Sequence, residues 1–210
     1  LMQVLKSHHY NMLRHVKMDF VRELYQKIHW EQRMLAIKGP RGAGKTTLML
    51  QHLIKERGAD NEQALYVTAD FHWFYNHTLF ETADEFYKNG GRFLYIDEVH
   101  KYPNWSRELK NIYDGFPDLK VVFSSSSALE IYQGESDLSR RVMTYELPGL
   151  SFREYLWFSH KEHFPVLKLE DILKQPSGPA TEVLNKLHPL PLFHKYLNTG
   201  YLPIIDEVPE

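Results

Sequence analysis

Apolar and polar positions follow two rhythms along this chain. Between Met12 and Trp30, the residues Val16, Phe20, Leu24 and Ile28 fall four apart, with Arg14, Lys17, Glu23 and Lys27 between them. That spacing predicts a helix. Met34-Leu35-Ala36-Ile37 is a short apolar run closed by Gly39-Pro40 and reads as a buried strand. The same logic predicts strands at 65–68, 93–96, 119–123 and 142–147. Between them, the pattern predicts helices over 45–57, 79–88 and 105–113, with Gly58, Asn89-Gly90-Gly91 and Gly115 as stops. The strands at 35–37, 93–96 and 120–123 are almost wholly apolar, which fits a parallel sheet covered on both faces. The expected fold class is α/β.

After Pro148 the texture turns helical, with segments expected at 152–160, 164–173, 182–187 and 192–197 and a loop at 175–179. The expected division is a core over 1–148 and a helical lid over 149–210. The apolar end at 202–210 has no partner element, so a further domain is expected beyond it. The chain starts at Leu1, so its start is not expected to be the native one.

Composition narrows the function. Hydrophobic residues make up 43% and charged residues 25%, enough for an ordinary core. There is no cysteine, which removes disulfides, thiol nucleophiles and thiolate metal sites. No run approaches the ~20 apolar residues that span a bilayer. A cytoplasmic protein with no membrane partner is expected. Residues 1–58 carry 11 Lys or Arg against 4 Asp or Glu, although the whole chain has a net charge of -2. A positive N-terminal part suits a polyanion such as a nucleotide, and equally suits a plain solvated surface.

The chemistry centres on Gly39-Pro40-Arg41-Gly42-Ala43-Gly44-Lys45-Thr46, which fits G-x-x-x-x-G-K-[ST] at every fixed position, between a strand and a helix. Glycines let the backbone curl so that amides face phosphate oxygens, and the helix N-terminus adds positive potential. Lys45 is the candidate for the β- and γ-phosphates, and Thr46 for Mg²⁺. Fifty-two residues after Lys45, the strand 93–96 ends in Asp97-Glu98. Asp97 is the second candidate metal residue, and Glu98 the candidate base for the attacking water. Ser124, directly after Val121-Val122-Phe123, is a candidate γ-phosphate contact, while Ser126 or Ser127 can instead cap a helix near Ala128. Arg140 and Arg141 precede the fifth strand, and Arg141 is the preferred candidate for transition-state charge, in its own subunit or a neighbour's. Asp70 can position water, and Trp73 or Tyr75 can stack a base, although packing accounts for the aromatics more simply. His8-His9 and His160/His163 lack the carboxylates that would complete a metal site.

These residues carry a resemblance. The stretches 39–47, Leu94-Tyr95-Ile96-Asp97-Glu98-Val99-His100 and Leu150-Ser151-Phe152-Arg153-Glu154-Tyr155-Leu156 resemble the prokaryotic AAA-type ATPases. These are ATP-binding proteins often followed by a restriction-nuclease-like domain. The likeness runs from about Asp19 to Leu156 and more weakly to Pro203. It implies a five-stranded parallel sheet of order 5-1-4-3-2, a helical lid, and ATP rather than GTP as ligand. It adds Thr47 to the phosphate loop. It aligns Arg141 with the family's arginine, with Arg140 in place of the usual glycine. Ser124-Ser125-Ser126 stand where Thr-Gly-Ser is usual.

Three functions remain open on the sequence. The first is Mg²⁺-dependent ATP hydrolysis driving an unidentified partner or remodelling process. The second is a nucleotide-dependent switch or scaffold with little turnover. The third is a DNA-directed ATPase. ATP or ADP, a homo-oligomer, and a protein or DNA partner are the expected associates.

Overall fold

The structure is a computed structural model that describes residues 2–125, 138, 140–174 and 177–203. The proposed caps Ser126 and Ser127 lie outside the described residues. The chain forms two compact units, Leu1–Pro148 and Gly149–Glu210.

The first unit is built on β1 (Met34–Lys38), β2 (Ala64–Thr68), β3 (Phe93–Asp97), β4 (Lys120–Ser125) and β5 (Met143–Glu146). All pairings are parallel and the order is β2-β3-β4-β1-β5. From the other edge this is 5-1-4-3-2, the expected order. Leu35, Ala36 and Ile37 of β1 and Ile96 of β3 have no exposed surface, as continuous apolar runs in a two-sided sheet require. The register sets Lys38 beside Ser125 and Glu146, and Thr68 beside Asp97. The strands' carboxyl ends therefore share one edge of the sheet.

Among the described residues, this unit also contains helices α1 (Gln3–Arg14), α2 (Lys45–Arg57), α3 (Leu79–Lys88) and α4 (Trp105–Gly115). Helix α2 stops at Gly58, whose φ of 80° suits glycine alone. Helix α3 starts on a capping box: the Thr78 side chain accepts from Glu81 N–H at 3.0 Å, and the Glu81 carboxylate accepts from Thr78 N–H at 2.9 Å.

The expected helix over 12–30 is not found. Helix α1 ends at Arg14, residues 15–22 are irregular, and Glu23–Lys27 form a single 3-10 turn. Two tertiary contacts override the four-residue spacing. Buried Gln51 donates to the carbonyls of Lys17 at 2.8 Å and Phe20 at 2.7 Å, holding that stretch open. Further upstream, Leu5, His9 and Leu13 form the buried stripe of α1. His9 Nδ1 accepts the Tyr66 N–H of edge strand β2 at 2.9 Å. An edge N–H that would otherwise invite another strand is thereby satisfied.

The second unit contains α5 (Phe152–His160), α6 (Leu169–Lys174), α7 (Ser177–Lys186) and α8 (Pro189–Thr199). Helix α5 has its own capping box between Ser151 and Glu154. Tyr155 and Tyr196 rings stand 5.5 Å apart, and Phe152 meets Phe193 edge-on at 5.1 Å. The helix expected at 164–173 begins only at Leu169, and residues 177–179 of the expected loop are helical. Pro179 sits in the first turn of α7, and Pro189 and Pro191 in that of α8. A missing N–H costs nothing there, so Pro179, expected in a loop, instead lies at a helix start, as do Pro189 and Pro191.

Candidate functional site

The loop after β1 is shaped by its glycines. A Cβ on Gly39 would lie 2.2 Å from the carbonyl oxygen of Leu147, which only a hydrogen clears. Leu147 N–H in turn donates to Lys38 O at 2.8 Å, so the loop leaves β1 wedged against the end of β5. Gly42 (φ 81°) and Gly44 (φ 91°) turn the chain through left-handed backbone, and Gly44 caps α2. The first N–H groups of α2 have no carbonyl partner within the helix and carry its positive end. Lys45 is 6% exposed and its ammonium donates to Gly39 O and Pro40 O, both at 2.9 Å. Burial lowers the Lys45 pKa, while the nearby Asp97 and Glu98 act in the opposite direction.

Opposite the loop stands Asp97, the last residue of β3, 4% exposed. Its Oδ2 accepts from the Thr46 hydroxyl at 2.5 Å and from the Tyr66 hydroxyl at 2.9 Å. Its Oδ1 accepts from the Ser124 hydroxyl and from Glu98 N–H at 3.1 Å. Glu98 N–H is shared with Ser124 Oγ at 3.0 Å. Side chains from β2, β4 and α2 thus converge on the carboxylate that ends β3. Burial and the Asp97 charge push the Tyr66 phenol far above its ordinary range, so it remains a donor. Half-buried Glu98 adopts left-handed backbone (φ 50°), a conformation a non-glycine residue takes at a cost.

The donor set suits a hard cation. Thr46 and Asp97 present only oxygen, and they touch. No group of three or more His, Asp or Glu among the described residues forms a complete protein cage. Mg²⁺ commonly binds in this way, with one or two protein oxygens, water and a substrate phosphate.

Lys45, Thr46, Asp97, Glu98 and Ser124 therefore meet at one place, framed by Gly39, Gly42, Ala43 and Gly44. Pro40, Arg41 and Thr47 are exposed beside it. Arg141 is elsewhere in the fold. It grips Asp114 at the end of α4, with Nε to Oδ1 at 2.9 Å and Nη2 to Oδ2 at 3.1 Å. It precedes β5, at the opposite edge of the sheet, and a four-residue strand at about 3.3 Å per residue separates the two edges. Asp70 accepts from the Thr68 hydroxyl at 2.6 Å beside the site. Trp73 is buried, donates to Thr82 Oγ1 at 3.2 Å and stacks on His77 at 3.8 Å, which is packing rather than an open platform. Tyr75 is 82% exposed.

The sequence pattern gave no sign of Tyr66 or Arg22. Tyr66 reads as one apolar position in a strand. Buried Arg22 lies within the stretch whose spacing suggested an ordinary helix, yet it donates to Ala43 O at 2.6 Å and Pro148 O at 2.9 Å.

A family profile described as an AAA domain matches residues 31–156. The chain belongs to the AAA domain family. The match takes in all five strands, the glycine loop and the Asp97-Glu98 pair, so the AAA signature and this constellation occupy the same stretch. Among solved structures, the AAA chain is similar to C. elegans PCH-2, at 19% identity and a TM-score of 0.43 over 75% of this chain and 44% of that one. It is similar to S. cerevisiae Rif2, at 15% identity and 0.45 over 100% and 92%. It is also similar to S. cerevisiae Hsp104 in an extended complex with casein, at 17% and 0.46 over 90% and 39%. The chain spans less than half the length of the PCH-2 and Hsp104 chains. No curated protein matches it.

Proposed function

We propose that this AAA domain binds ATP with Mg²⁺ and hydrolyses it to ADP and phosphate, coupling turnover to a partner not yet identified. The observation that carries the reading is the contact between Thr46 and Asp97 at the mouth of the glycine loop. It joins a candidate phosphate cradle to a candidate cation site. The loop amides and the Lys45 ammonium hold the β- and γ-phosphates, Lys45 exchanging the Gly39 and Pro40 carbonyls for phosphate oxygens. Thr46 and Asp97 would hold Mg²⁺, which when bound supplies positive charge to the phosphate oxygens. Glu98 orients the attacking water and takes its proton. Ser124 keeps Asp97 and the Glu98 amide in register. In this reading, the helical unit of 149–210 is the family's lid.

Arg141 would then serve the site of a second copy. Its fork with Asp114 at the far edge of the sheet also favours a second reading, a nucleotide-dependent switch that turns over slowly when alone. Phosphate release from Mg-ATP by wild type and Glu98→Gln, across protein concentrations, tests both. Hydrolysis abolished by Glu98→Gln with ADP binding intact supports the ATPase. Specific activity that rises with concentration supports an arginine supplied by a neighbour, worth about 10³–10⁵ in rate where such a residue acts. Equal release by the two proteins removes the Glu98 role.

A further inference from the structure

We infer that Arg22 is a positioning residue for phosphate binding: it sets the direction of a loop amide without touching the ligand. This rests on the nucleotide reading above. In a trans peptide group the C=O and N–H point in opposite directions. Arg22 Nη1 donates to the Ala43 carbonyl at 2.6 Å, a short charge-assisted bond to a fully buried residue. Fixing that oxygen on the Arg22 side turns the N–H of the same peptide, which belongs to Gly44, the other way. Two other loop carbonyls, those of Gly39 and Pro40, are held by Lys45. Arg22 therefore controls the one of these three peptides that Lys45 does not.

The brace is itself anchored. Arg22 Nη2 donates to Pro148 O at 2.9 Å, just after Leu147, whose oxygen abuts Gly39. The backbone leading to Arg22 is held by Gln51, buried in the helix that the loop opens, through the carbonyls of Lys17 and Phe20. The result is a closed circuit: α2 grips the segment, the segment's arginine grips the loop, and the loop starts α2. A fork spanning two carbonyls on different segments is guanidinium geometry, which a lysine ammonium does not reproduce.

The test is equilibrium binding of ADP, pyrophosphate and adenosine to wild type, Lys45→Ala and Arg22→Lys, with amide hydrogen exchange at Gly44 in the ligand-free proteins. Arg22→Lys is expected to weaken ADP and pyrophosphate by about tenfold or more, the worth of one charge-assisted hydrogen bond. Gly44 exchange should rise, and adenosine affinity should stay unchanged. A general loosening of the fold would instead weaken all three ligands, and that result overturns the inference. So does ADP binding by Arg22→Lys equal to wild type while Lys45→Ala loses it. Wild type that binds neither ADP nor pyrophosphate removes the nucleotide reading itself. Should Arg22→Lys fail to fold, Gln51→Ala releases the segment while keeping the guanidinium. It is expected to give the same phosphate-selective loss, and unchanged ADP affinity there overturns the brace.

Discussion

Asp97 is the residue on which the site turns, and its neighbours show why a carboxylate can stay buried there. Hydroxyls from Thr46, Tyr66 and Ser124 and the Glu98 amide surround it, so the cost of removing the charge from water is met by hydrogen bonds from four directions. Tyr66→Phe removes one donor and leaves the ring's packing intact. We expect it to destabilise the fold by about 1.5–3 kcal/mol, as for a hydrogen bond to a charged group, and to raise the Mg²⁺ concentration needed for half-maximal nucleotide binding. Denaturant melts together with Mg²⁺ titrations of ADP binding check this. A loss of stability with no change in Mg²⁺ requirement would make Tyr66 a packing residue only. Gly39 leads to a sharper expectation. Gly39→Ala drives a Cβ to within 2.2 Å of the backbone oxygen of Leu147, whose N–H is tied to Lys38 O, so the loop must move and nucleotide binding should be lost.

At the scale of elements, the legible features were those with local causes. Helix α3 has its cap, its stop and its apolar face in one stretch, and it spans the expected 79–88. Its capping box can be measured: Thr78→Ala should cost about 1 kcal/mol in a denaturant melt and leave nucleotide binding unchanged. The strands were legible because apolar runs between turn residues leave few alternatives, and the glycine loop because its motif is contiguous. The expected helix over 12–30 failed because its fate rests on Gln51, more than twenty residues away, whose side chain takes the carbonyls a helix would use. Tyr66 and Arg22 were hidden for the same reason. Their partners, Asp97 and Ala43, are 31 and 21 residues away, and no period in the sequence links them. His9 was weighed only as a metal ligand, although in α1 it serves as a buried acceptor for an edge strand.

For the whole molecule, buried imidazoles should govern how the fold responds to acid. His9 and His52 are each 2% exposed. Burial lowers His9 to about 4, helped by His8 and Lys6, and lowers His52 to about 3, helped by Arg57 and Lys120. Both rings are committed as neutral groups. His9 Nδ1 accepts from Tyr66 N–H, while His52 pairs with the Tyr95 hydroxyl at 2.8 Å and stacks on Trp30 at 3.7 Å. The native state therefore refuses protons that the unfolded chain accepts near its ordinary value of about 6.5. Stability should be full above that pH and fall as pH drops below it, levelling for His9 near 4 and for His52 near 3. Between pH 6.5 and 5 each residue should cost at most about 2 kcal/mol, a large share of the roughly 5–15 kcal/mol that holds a domain together. Urea melts across this range should give a stability that rises with pH, and His52→Phe should reduce that slope by about half whatever it does to stability at pH 7. An unchanged slope in the variant would mean that His52 is not the proton acceptor, leaving the acid response to His9, to His8, which burial also lowers, and to the carboxylates.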